Sequence, residues 1–272
     1  IGQVMVGGTV SQVITSKKPK FNEGEWLLSN NGWQSYTISD GEACQSLGMQ
    51  PDNPSWALGI LGMPGFTAYM GLLDIGQPKP NETLVVAAAT GPVGATVGQI
   101  GKIKGCHVIG IAGSIEKCRY AVEELGFDIC INHRDEDFVE QLQQAVPNGI
   151  DIYYENVGGK VFEAVWPLLN PASRIPICGL VSQYNETERA KGPDRLPNFI
   201  STILRKRIRM QGFIIFDDYA SHYHEFNLQM SKWLKEGKIN YKEHMVYGLD
   251  NTIDAFNAML KGNNFGKTVI KL

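Results

Sequence analysis

The chain of 272 residues is poor in the residues that build metal centres and disulfide frameworks. Its five cysteines, Cys44, Cys106, Cys118, Cys130 and Cys178, are odd in number and form no C-x-x-C pair. Such scatter offers neither a disulfide scaffold nor a cysteine-ligated metal lobe. The five histidines, His107, His133, His222, His224 and His244, are equally dispersed, and no Gly-His-Glu occurs. His222 and His224 fall on a predicted helix, where they diverge, so no metal site is expected. No apolar run nears the ~18 residues of a membrane span, and no signal peptide is visible. The formal net charge is −3, and the single basic run, Arg205-Lys206-Arg207-x-Arg209, reads as a solvated helix end. Neither nucleic acid nor a membrane is therefore an expected partner. Cys106, Cys130 and Cys178 fall in or beside predicted buried strands, where a free thiol behaves as a small hydrophobe. A reducing, cytoplasmic setting fits that usage.

What the chain does have is concentrated in Thr83–Gly105. Thr83-Leu84-Val85-Val86-Ala87-Ala88-Ala89 has the composition of a strand buried on both faces. Ala89-Thr90-Gly91-Pro92-Val93-Gly94 follows, then a helical pattern with apolar Val93, Val97, Ile100 and Ile103. This is the G-x-G-x-x-G fingerprint with its first glycine replaced by Ala89. Glycines let the backbone turn sharply and approach a pyrophosphate, while the helix N-terminus offers N–H groups and partial positive charge. A second strand, His107–Ile111, completes the context that an ordinary strand-to-helix turn would lack.

An NAD site usually carries Asp or Glu about 20 residues past the glycines, on the ribose 2′-OH. Here Ala112-Gly113-Ser114 stands instead, followed by Ile115-Glu116-Lys117-Cys118-Arg119. The small turn leaves room for a 2′-phosphate, which Lys117 can meet as a point charge. Lys117 and Arg119 could alternatively be solvated residues, although two cations in a first turn oppose the helix dipole. NADP is expected rather than NAD.

From Leu84 onward strands and helices alternate. Strands are predicted at Leu84–Ala89, His107–Ile111, Ile129–Asn132, Ile152–Glu155, Arg174–Cys178 and Met210–Ile215. Helices are predicted at Val93–Lys104, Glu116–Leu125, Glu136–Ala145, Gly159–Leu169, Phe199–Arg205 and Ala220–Glu236. The pattern predicts an α/β fold, a doubly wound parallel sheet of the Rossmann type. The preceding β-rich segment, with strand-like runs at Gly2–Val13, Glu25–Leu28 and Trp33–Ile38, is marginal as an independent domain. Since the chain starts at Ile1 rather than Met, earlier sequence is expected to be missing. A last unit (Glu243–Tyr247, Thr252–Lys261, Lys267–Lys271) is expected to rejoin that segment. The polar connection Ser182–Asn198 lies just past a strand's carboxyl end, where ligands bind in such sheets.

Five ordered motifs then carry a family resemblance over essentially the whole chain. They are Ala88-Ala89-Thr90-Gly91-Pro92-Val93-Gly94, Ala112-Gly113-Ser114-x-x-Lys117, Glu155-Asn156-Val157-Gly158-Gly159, Cys178-Gly179-Leu180-Val181-Ser182-Gln183-Tyr184-Asn185 and Asn263-Asn264-Phe265-Gly266-Lys267. With Gly62–Leu73 before them, the chain resembles the medium-chain dehydrogenase/reductase superfamily. The likeness is to its zinc-independent branch of prostaglandin reductases (leukotriene B4 12-hydroxydehydrogenases) and bacterial curcumin reductase-like enzymes.

The resemblance implies residues 1–62 as the remainder of a GroES-like catalytic domain, 63–215 as the Rossmann NADP-binding domain, and 216–272 as a segment returning to the catalytic part. It also implies a homodimer, and an N-terminal segment with an active-site tyrosine in full-length relatives. Thr90, Gly91, Pro92, Val93 and Gly94 would hold the pyrophosphate; Gly113, Ser114 and Lys117 would hold the 2′-phosphate. His133 stands where family members often stack a tyrosine, with Arg134 beside it. Asn156 would approach the cofactor through its amide, and Cys178, Gly179, Ser182 and Tyr184 would line the ribose and nicotinamide. Phe213 and Ile215 would line the pocket, and Asn264 would close over the nicotinamide half. Asn156 and Asn264 can equally be read as turn residues that tolerate unusual backbone angles.

Without a Lewis acid, such a site is suited to reducing an activated C=C bond. Hydride from NADPH would reach the β-carbon of an α,β-unsaturated ketone or aldehyde, and a donor must meet the charge that develops on the carbonyl oxygen. Tyr184 is the candidate donor, a phenol with an ordinary pKa near 10, or else only a packing residue on the cofactor. Trp33, Tyr36, Phe66, Tyr69 and Phe216 are candidates for an apolar substrate wall, or for core. A quinone reductase and a non-catalytic NADPH-binding protein remain as alternatives.

Overall fold

The computed structural model describes residues 2–188 and 193–272. By internal contacts the chain separates into two units, Ile1–Pro64 with Glu243–Leu272, and Gly65–Lys242. In the first, β1 (Thr9–Gln12), β2 (Trp26–Ser29) and β3 (Gln45–Gly48) form an antiparallel sheet, with a bulge between Trp26 and Leu27. Trp33–Ile38, expected as a strand, is irregular, and Tyr36 and Ile38 stand exposed. Alternating apolar residues make a strand only where a neighbouring strand takes their backbone groups. Conversely β3 has Leu47 as its single large apolar residue, so no pattern announces it.

The second unit opens with α1 (Met63–Met70), which runs into a π-helical turn at Gly71–Gly76. Strand–helix units follow: β4 (Thr83–Ala87), α2 (Pro92–Ile103), β5 (His107–Ala112), α3 (Ile115–Glu123), β6 (Ile129–Asn132), α4 (Phe138–Ala145), β7 (Ile150–Tyr154), α5 (Gly159–Val165), β8 (Leu169–Ile177), α6 (Leu196–Lys206) and β9 (Arg209–Gly212). The six strands lie in the order β6-β5-β4-β7-β8-β9, all parallel. Helices cover both faces of such a sheet, so β4 is buried at every position. On one face Val85, Ile109, Tyr153 and Ile175 of the strands pack with Leu142 of α4 and Val161 and Val165 of α5. The chain builds outward from β4 in one direction and from β7 in the other, which puts the topological switch point at the carboxyl ends of these two neighbours.

The boundary expected at residue 215 moves. β9 stops at Gly212, and α7 (Ile215–Tyr219) starts early because the Asp218 carboxylate accepts the Ile214 N–H. A single 3-10 turn at Ala220–His222 separates it from α8 (Tyr223–Lys235). Phe226 and Met230 of α8 are fully buried, and the Phe226 ring centre lies 5.0 Å from that of Phe66 and, edge-on, 5.6 Å from that of Tyr69. Residues 216–242 therefore pack with the Rossmann unit instead of returning with the C-terminal segment. The return begins at β10 (Glu243–Tyr247), continues through α9 (Thr252–Leu260) and ends at β11 (Lys267–Lys271), which pairs in parallel with β10. Of the connection Ser182–Asn198, residues 189–192 lie outside the described residues.

Candidate cofactor site

At the carboxyl end of β4, Ala88 takes a left-handed backbone (φ 53°) and its carbonyl accepts the Gly91 N–H at 3.0 Å. Gly91 is the N-cap of α2, Pro92 fills the first helical position, and no side chain caps the helix. The N–H groups of its first turn have no intrahelical acceptor, so they face whatever occupies the turn. Gly94 is there for space: a Cβ on it would stand 2.3 Å from Ala88 O and 3.1 Å from Ala87 O. Ala89 replaces the first glycine of the fingerprint because Gly110 of β5 makes room, since a Cβ at Gly110 would meet Ala89 Cβ at 2.8 Å. Thr90 is buried beside them. These features fit a pyrophosphate cradle.

The next turn, between β5 and α3, is built differently. Ser114 spends its hydroxyl on its own helix, accepting the Lys117 N–H at 3.3 Å as an N-cap. Above Gly113 converge the His133 ring and the Arg134 guanidinium; a Cβ at Gly113 would stand 3.3 Å from His133 Nε2. Burial and the charge of Arg134 lower the proton affinity of Lys117. Burial, Arg134 and Lys117 likewise lower that of His133. Two basic side chains packed around a guanidinium until their own proton affinities fall suit an anion of multiple charge.

Glu155, just past β7, organises the third loop. It is almost fully buried; its Oε1 accepts the N–H groups of Val157 at 2.5 Å and Gly158 at 2.8 Å, and its carbonyl accepts those of Cys178 and Gly179. Burial raises its carboxyl pKa, and the two N–H bonds work against that rise. Asn156 reaches across the switch point, donating from Nδ2 to Ala87 O at 2.8 Å. Its amide nitrogen is thus engaged with β4, so the expected approach to the cofactor falls to Oδ1 and the backbone. Ser182 closes the loop after β8 onto this one, with its N–H and Oγ both donating to Val157 O. Tyr184 folds its ring so that Oη would stand 3.0 Å from a Cβ on Gly179, and the residue is 63% exposed. Cys178, at the start of the same loop, is within hydrogen-bond reach of the Tyr154 hydroxyl, and burial pushes its thiol up to about 11. Tyr154 in turn donates to Thr67 O at 2.8 Å.

The remaining candidates divide. Phe213 and Ile215 are buried, and the Phe213 ring fills the space that a side chain at Gly71 would need. Phe66 is a correction: with no exposed surface it is core, wedged among Phe216, Tyr223 and Phe226, and cannot touch a substrate. Tyr69 is partly buried on Phe226 and Trp233, whereas Phe216 is half exposed. Asn264, Trp33 and Tyr36 belong to the other unit. There Asn264 donates to Gly266 O, Trp33 stacks edge-on to Phe256, and Tyr36 is exposed. Sequence reasoning passed over Ala88, Gly110 and the side chain of Glu155. An acid followed at once by Asn-Val-Gly-Gly is the signal that could have marked Glu155, because such a carboxylate can cap the N–H groups of the turn after it. Among the described residues no three His, Cys, Asp or Glu side chains cluster as a metal would require.

Comparison with known proteins identifies the family. The chain matches the family model of zinc-binding dehydrogenases over residues 92–236 and that of an N-terminal domain of oxidoreductases over residues 1–47. It is 64% identical to the NADPH-dependent curcumin reductase of Escherichia coli (strain K12) over 272 residues, 100% of this chain and 79% of that protein. It is 42% identical to prostaglandin reductase 1 of Rattus norvegicus, over 99% of this chain and 82% of that one. The crystal structure of CurA from Vibrio vulnificus in complex with NADPH superposes with a TM-score of 0.97 at 62% identity, covering 100% of this chain and 80% of CurA. On these matches the chain belongs to the medium-chain dehydrogenase/reductase family, alongside the curcumin and prostaglandin reductases.

Proposed function

We propose that this protein is an NADPH-dependent reductase of the C=C bond of α,β-unsaturated ketones and aldehydes. The observation that carries the reading is the 64% identity, over the whole chain, to an NADPH-dependent curcumin reductase. The uncapped α2 and the cationic turn at Gly113 and His133 supply a matching chemistry of charge. NADPH, when bound, supplies hydride to the β-carbon of the substrate. Gly91–Gly94 hold its pyrophosphate on the first-turn N–H groups of α2, and Lys117 with Arg134 takes the 2′-phosphate. Asn156, Cys178, Gly179 and Ser182 shape the floor on the nicotinamide side. The Tyr184 hydroxyl donates a hydrogen bond to the oxygen where enolate charge develops, and so acts mainly on the transition state. Phe216, half exposed beside Tyr223, would offer apolar surface to a flat substrate.

The unit Ile1–Pro64 with Glu243–Leu272 is assigned as part of a GroES-like catalytic domain. Asn264 and Tyr36 would serve from it. A homodimer in the cytoplasm completes the reading. It is supported by the outer edge of β9 and by Leu196, Ile200 and Leu204, which stand exposed four residues apart on α6. No described helix is long and apolar enough to cross a membrane.

Steady-state turnover with NADPH tests the assignment on a linear enone and a benzoquinone in parallel. Expected is a kcat/KM at least about tenfold higher for the enone, a difference of ~1.4 kcal/mol in transition-state stabilisation. Preference for the quinone would replace the reading with that of a quinone reductase.

A further inference from the structure

His133 follows directly on β6, and its backbone N–H donates to Ala112 O at 3.0 Å, which fixes it across the turn from Gly113. A Cβ on Gly113 would stand 3.3 Å from His133 Nε2 and 3.7 Å from both Nε and Nη2 of Arg134, so ring and guanidinium share one small space. The charges acting on the ring are Arg134, from its own loop, and Lys117, from α3. The neighbouring acid on the β6 side, Asp135, is bound to Asn132 Nδ2 at 2.5 Å and to Gln141 Nε2 at 3.4 Å. Glu116 lies in the first turn of α3, and it is not among the groups that shift the ring. An imidazole between two cations resists protonation until a multiply charged anion enters.

We propose that His133 selects the cofactor by a linked proton. The ring is neutral in the free protein, takes up a proton from bulk water when the 2′-phosphate settles among it, Lys117 and Arg134, and returns that proton on release. No covalent bond changes. The inference rests on the NADPH reading and adds a residue, and a pH dependence, to it. The sign follows from linkage. The free ring titrates below the ordinary histidine value, and the dianion raises it in the complex. The ring's share of the affinity is therefore full at pH below the free value and fades as pH rises through the value of the complex. NADH, which lacks the phosphate, gains nothing from it. The phosphate's own second ionisation, near 6, acts equally in wild type and variant, so their difference isolates the ring.

The test follows the histidine ring signals by NMR in the free protein, with NADP+ and with NAD+, with His133→Gln identifying the resonance. Expected is a titration midpoint that rises by about one unit or more with NADP+ and holds still with NAD+. NADPH dissociation constants from fluorescence should weaken severalfold more in wild type than in His133→Gln between about pH 6 and about pH 8.5. His133→Tyr, which keeps a ring without the basic nitrogen, should follow the glutamine variant. A midpoint unmoved by NADP+ in a protein that still prefers NADPH to NADH would overturn the proposal and leave His133 a neutral neighbour of the adenosine. Equal affinity for NADPH and NADH in wild type would overturn the 2′-phosphate reading and the proposal together.

Discussion

Lys117 and Tyr184 carry opposite kinds of work, and single substitutions separate them. Lys117→Ala should weaken NADPH binding by on the order of 1.5–3 kcal/mol, the worth of a charge-assisted phosphate contact, and leave NADH nearly untouched in titrations of both cofactors. Equal losses would show that Lys117 supports the turn and not the phosphate. Tyr184→Phe should lower kcat for enone reduction by ~10²–10³, the usual effect of removing one oxyanion donor, while NADPH affinity changes little. Unchanged kcat with weaker cofactor binding would make the ring a packing surface. Residues such as these could be proposed from the sequence because a motif carries their chemistry. Phe66 was not, because an aromatic in an apolar stretch looks the same whether it faces a pocket or a core. Only the arrival of α8, about 160 residues further on, decides between them.

At the scale of elements, the strand–turn–helix at β4 and α2 makes a sharper claim about glycine than the motif does. Gly94→Ala puts a methyl against the Ala88 backbone carbonyl, which has no rotamer to yield, so α2 must move. The expected result is loss of affinity for NADPH and NADH alike and destabilisation of about 1–3 kcal/mol by thermal melting. Gly91→Ala is the contrast: its φ is −74° and its Cβ would stand 3.4 Å from the same carbonyl, in ordinary contact. It should fold as wild type and lose less affinity. A Gly94→Ala variant that binds both cofactors normally would show that the close approach of helix and strand is dispensable. The central strands and α2 were legible because two-sided burial and a 3.6-residue period leave strong patterns. The three antiparallel strands were less so, since their short, half-exposed segments depend on partners distant in sequence. The early end of β9 and the short α7 before α8 were not foreseen for a local reason, the Asp218 carboxylate accepting the Ile214 N–H inside an apolar run.

Across the whole molecule, the alternation of strands and helices made the doubly wound class plain, whereas no sequence pattern marks where its second half ends. α8 shows no motif, and only its buried face assigns it to the Gly65–Lys242 unit. The same breadth applies to metal. Purified protein should contain no stoichiometric zinc, and a chelator should leave turnover intact; activity lost to chelator and restored by zinc would overturn that expectation. A last consequence concerns survival under load. Conjugated carbonyls alkylate thiols by attack of the thiolate on the same β-carbon that would accept hydride, and Cys178 sits directly before the loop that bears Tyr184. With its thiol held at about 11, roughly one molecule in ten thousand carries the thiolate at neutral pH, against a few per cent for an ordinary cysteine. Burial thus makes Cys178, beside the loop where such compounds would bind, a poor nucleophile toward them.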